Sequence, residues 1–189
     1  MGALARSRTT AAVVTGGTGA AALSHLLGRS VRMLIGMPFV PSLVAGFPRA
    51  TLLLSAAGAL GRTGALTLMG GLEGLVLLAT GGAFPFAFVA PTVSAGVTDV
   101  VGAALRGRVS ERRLMPLLGA VLNVSRILTS LLLSLFWGLP RSAGRLGPRP
   151  GLILAVVALN VVVGALAGIF AGQLKPYLAF LGTRREAAH

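Results

Sequence analysis

Only four acidic side chains occur in 189 residues, and two of them fall inside apolar tracts. Glu73 sits in the middle of TGALTLMGGLEGLVLLATG, and Asp99 lies late in AFPFAFVAPTVSAGVTDVVGAAL. A carboxylate placed at membrane depth is costly unless it is paired or faces water, so each marks a candidate site. Arg126, in LMPLLGAVLNVSRILTSLLLSLFWGL, lies about 12 residues into its own tract, or roughly 18 Å at helical rise. That depth matches Glu73, and the two are expected to meet near the membrane mid-plane. Two readings stand for the pair: a structural ion pair that pins two helices, or the lining of a polar pocket that receives a solute. Asn123 and Asn160 are read as interhelical hydrogen-bonding groups that also border such a pocket. His25 and His189 have no metal-ligand neighbours at helical spacing, so no metal site is expected. No phosphate-cradling GxxxxGK[ST] loop, HExxH motif or cysteine is present, and the chain is read as a non-enzyme without a cofactor.

The elements that position these groups follow from composition. The chain is 54% hydrophobic and 11% charged, with a mean hydropathy of +0.87. An ordinary soluble domain carries about 25% charged residues. The formal charge of +13 is scattered between apolar tracts, and aromatic residues for base stacking amount to 5%, which argues against nucleic-acid binding. The expected fold is all-α: a single integral membrane domain over residues 1–189, a bundle of about six transmembrane helices. The spans are placed at 9–27, 31–61 (broken by Pro38, Pro41 and Pro48), 63–81, 83–105, 114–139 and 151–174. The N-terminal tract is read as a retained span rather than a cleaved signal peptide, because leucine is thin in it and further spans follow.

Small residues recur at four-residue spacing, at Ala12, Gly16 and Ala20, at Gly70 and Gly74, and at Gly164, Gly168 and Gly172. Such faces let helices approach closely in lipid. With the N-terminus inside, the inner segments hold Arg6, Arg8, Arg62, Arg106, Arg108, Arg112, Arg113, Lys175, Arg184 and Arg185, against Arg29, Arg32, Arg141, Arg145 and Arg149 outside. The positive-inside rule then puts both termini in the cytoplasm, with the cell membrane as the location.

The order of these features resembles the substrate-binding S components of energy-coupling factor (ECF) transporters, most nearly the thiamine-precursor-permease type and related uncharacterised ones. Arg62, Gly64, Gly70, Gly74 and Asp99 carry the resemblance: a basic residue and a glycine open the third helix, and an acidic residue closes the fourth. The resemblance implies a subunit that binds a vitamin or related micronutrient from outside. It also implies docking on a large transmembrane coupling subunit driven by two ATPases, which would do the ATP chemistry. The docking face it implies is Ala12, Gly16 and Ala20. The rival readings are a small structural or assembly subunit of a larger complex, and a solitary small-solute transporter.

Overall fold

The computed structural model describes residues 11, 13–27, 40–137 and 150–184. Among them the chain forms six helices and no strand: α1 (Val13–Leu27), α2 (Val40–Leu60), α3 (Ala65–Ala79), α4 (Val89–Leu105), α5 (Glu111–Trp137) and α6 (Pro150–Arg184). The expected all-helical bundle is what the described residues form. Apolar windows in α2, α5 and α6 are long enough to cross a membrane, whereas α1, α3 and α4 are shorter apolar helices. At 15 residues, α3 is only about 22 Å long.

Several boundaries differ from the sequence expectation, among them the fourth helix, which starts at Val89 rather than 83. The segment expected to break at its prolines is one uninterrupted helix from Val40, with Pro48 inside it; neighbouring helices in a membrane bundle tolerate such a missing donor. The fifth helix starts at Glu111 rather than 114, with that glutamate in its first turn, where the positive end of the helix dipole favours it. The sixth continues through Pro176 to Arg184, ten residues beyond the expected end. Residues 28–39, which hold Pro38, lie outside the described residues.

Packing follows the glycine faces. A Cβ on Gly70 would lie 2.5 Å from that of Ala95 and 2.7 Å from the Pro91 carbonyl oxygen. A Cβ on Gly74 would lie 2.9 Å from the Phe88 ring. These two positions therefore seat α3 on α4. Gly119 of α5 and Gly164 of α6 approach backbone to backbone, and Gly168 sits against Met115 and Pro116 in the same way. The third small-residue face turns inward too. Gly16 lies against Met69 and Ala56, Gly17 against Leu72 and Met69, and Ala20 is fully buried. Gly16 and Ala20 thus pack α1 onto α2 and α3 within the chain; Ala12 lies outside the described residues.

One end of the bundle gathers the end of α2, the start of α3, the end of α4, the start of α5 and Lys175 of α6 around a cavity of about 330 Å³. Arg62, Asp99, Arg106, Glu111 and Lys175 line it. Glu111 and Lys175 form an ion pair that ties α5 to α6. With Arg108, Arg112 and Arg113 exposed close by in sequence, this is the basic end of the molecule.

Candidate functional site

Glu73 is completely buried, and its Oε1 is the centre of the polar core. Arg49 Nε donates to it at 2.6 Å from α2, and Arg126 Nη1 donates at 2.7 Å from α5. Ser24 Oγ of α1 donates to the same oxygen at 3.4 Å. Four helices therefore converge on one carboxylate oxygen. Arg49 is 2% exposed and Arg126 27%, so the first is buried and the second lies partly at the surface of the bundle.

The meeting of Glu73 with Arg126 matches the expectation from depth. Arg49 was not anticipated. It lies 11 residues before the end of α2 at Leu60, or about 16 Å, a depth close to that of Arg126. That signal is present in the sequence once α2 is read as one helix.

Polar capacity in this core exceeds what its partners use. Glu73 Oε2, both terminal nitrogens of Arg49 and Asn123 Nδ2 are buried without a hydrogen-bond partner among the described residues. Asn123 lies three residues before Arg126 and faces Gly46, three residues before Arg49; a Cβ on Gly46 would lie 3.3 Å from the Asn123 amide nitrogen. Residues three apart share a helix face, so Asn123 and Arg126 present the same face of α5 to α2.

Asn160 is buried and donates through Nδ2 to the Val156 carbonyl of its own helix at 2.8 Å. The antiparallel register that opposes Gly164 to Gly119 puts Asn160 level with Asn123, but the bond recorded for it is to its own backbone.

Asp99 has a different job. Its Oδ2 accepts from the backbone N–H of Thr67 at 2.8 Å and from the Thr67 hydroxyl at 2.7 Å. Helix α3 opens at Gly64, which has φ of 86° and provides no side-chain cap. That left-handed conformation favours glycine, and the carboxylate from α4 supplies the missing acceptor for a first-turn donor. Asp99 therefore holds the α3 N-terminus and does not join Glu73. Arg62, also from the sequence pattern, lines the basic-end cavity with Asp99.

Buried apolar side chains lie between the ionic centre and that cavity. One turn towards the basic end from Arg49, Glu73 and Arg126 stand Leu53, Met69 and Leu122, all with 0% exposure and all in one hydrophobic cluster. None of the three charged residues lines the cavity.

No family model matches the chain, and neither a curated protein nor a solved structure does.

Proposed function

We propose that the protein is a solute-binding membrane subunit whose site is the Arg49–Glu73–Arg126 centre. The observation that carries this reading is a buried ionic centre with unpartnered donors and acceptors, set one turn above the buried Leu53, Met69 and Leu122. Ionisable groups at membrane depth are expensive to keep, and they mark solute pathways when they are not fully paired with one another. A site with Arg126 partly at the surface and Leu53, Met69 and Leu122 buried beneath it is what a carrier needs on one side of its cycle.

In this reading the six helices form a multi-pass bundle in the cell membrane, with the basic end and both termini cytoplasmic. The more specific proposal is an S component of an ECF-type importer for a vitamin or related micronutrient. Arg62 with Gly64 at the opening of α3, and Asp99 near the end of α4, support it by sequence pattern. A large transmembrane coupling subunit and two ATPases would then be the partners and would perform all ATP chemistry. With Gly16 and Ala20 committed to packing α1 inside the bundle, docking would use another surface or would require α1 to move.

The second reading, a structural or assembly subunit, is favoured by the near-complete burial of Arg49 and Glu73. The two separate by solute retention. Purified in mild detergent and extracted for small-molecule mass spectrometry, the wild-type protein is expected to release a bound solute that Arg126→Gln does not retain, while both melt as folded proteins. Identical extracts from the two would leave the charges as helix pins.

A further inference from the structure

The charge count of the buried centre is uneven. Two guanidinium groups, from Arg49 and Arg126, share one carboxylate, leaving one positive charge uncompensated. The remaining carboxylates among the described residues are engaged elsewhere: Asp99 with Thr67, and Glu111 with Lys175. An uncompensated charge in a low-dielectric core is unfavourable and attracts a counter-charge.

The orphaned atoms show what shape of counter-charge fits. Arg49 uses Nε for Glu73 and keeps both terminal nitrogens free of partners among the described residues. Two parallel N–H donors on one planar edge match the two oxygens of a carboxylate. The amide nitrogen of Asn123, three residues before Arg126 on α5 and also unpartnered among the described residues, is one more donor. The surplus is therefore donor-rich and singly positive.

Resting on the solute-binding reading above, we infer that the site takes a monoanionic, carboxylate-bearing solute, which enters at the partly exposed Arg126 and, as the packing around the buried Arg49 opens, reaches the free edge of its guanidinium and neutralises the Arg49–Glu73–Arg126 centre. The arrangement selects against cations, which meet two guanidinium groups, and against neutral amides, which leave the charge in place.

The test uses the full-length protein in neutral-lipid nanodiscs at fixed pH, with melting followed in sodium acetate, in sodium chloride at the same ionic strength, and in acetamide. Acetate is expected to raise the wild-type melting temperature over both references, by roughly 3 °C at ten times its Kd. Glu73→Gln, with two positive charges left, should respond more strongly, and Arg126→Gln, with a neutral Arg49–Glu73 pair, should not respond. Equal melting in all three media for both wild type and Glu73→Gln overturns the anion assignment, as does a full acetate shift in Arg126→Gln. The solute-retention experiment fails independently: a neutral or cationic solute held by wild type and lost from Arg126→Gln keeps the binding reading and removes the anion.

Discussion

Replacing Glu73 by Gln is expected to cost more stability than any other single change in the polar core. The glutamine keeps the volume but leaves Arg49 and Arg126 facing each other in the bundle, with Arg49 at 2% exposure. Removing one partner from a buried ion pair costs about 3–5 kcal/mol, because the other charge stays buried without compensation. For a chain of this length that amounts to a fall in melting temperature on the order of 10 °C. Arg126→Gln should be milder, because a neutral Arg49–Glu73 pair at 2.6 Å survives it. Thermal melts of detergent-solubilised variants check the order. Glu73→Gln melting within a degree or two of wild type would mean that the carboxylate does not hold the two arginines.

The second large effect concerns the seam between α5 and α6. A Cβ at position 164 would collide with the carbonyl of Gly119 and would lie 2.7 Å from its carbonyl carbon and 2.9 Å from the Ala120 Cα. Backbone cannot rotate out of the way as a side chain can, so Gly164→Ala forces the helices apart. Overpacking of a tight core costs about 1–3 kcal/mol even where side chains can yield, and the loss here should meet or exceed that range. Gly71→Ala is the matched control: nothing lies within 4 Å of its Cβ position, and alanine is the better helix former by about 0.5–1 kcal/mol. Melting temperatures of the two variants should move in opposite directions. A Gly164→Ala protein as stable as wild type would show that α5 and α6 are not in backbone contact.

Much of this architecture is legible in the sequence, and particular residues show why. Glu73 and Arg126 are each the lone charge of an apolar tract at similar depth, so their meeting follows from helical rise alone. Arg49 has the same depth, but three prolines between residues 38 and 48 suggest a broken segment in which depth has no meaning. The helix running through Pro48 restores it. Asp99 is recognisable as an acid in an apolar tract, whereas its role depends on a tertiary contact: α4 lies against the start of α3, and local sequence does not encode that distance. Small-residue faces mark close approach without naming the neighbour. Gly70, Gly74 and Gly164 meet helices inside the bundle, and so do Gly16 and Ala20, for which the resemblance to S components implies a partner. The apolar layer of Leu53, Met69 and Leu122 becomes visible only when three helices are aligned on their charged residues.

That layer gives the ionic centre a direction. If the site opens at Arg126 and is closed towards the basic end, release there requires Leu53, Met69 and Leu122 to part. No feature among the described residues supplies energy for such a step. A carrier of this kind therefore either relaxes thermally between its two openings or is driven by partners, and the proposed ECF assignment takes the second course.

The measurement that tests this most directly is a gentle-detergent pull-down of the tagged protein from its native membranes, with mass spectrometry of the proteins that accompany it. The expected result is co-purification of a large transmembrane subunit together with paired ATPases, in stoichiometric amounts and stable to washing. Recovery of the chain alone, or with a membrane complex that lacks ATPases, would contradict the energy-coupled assignment.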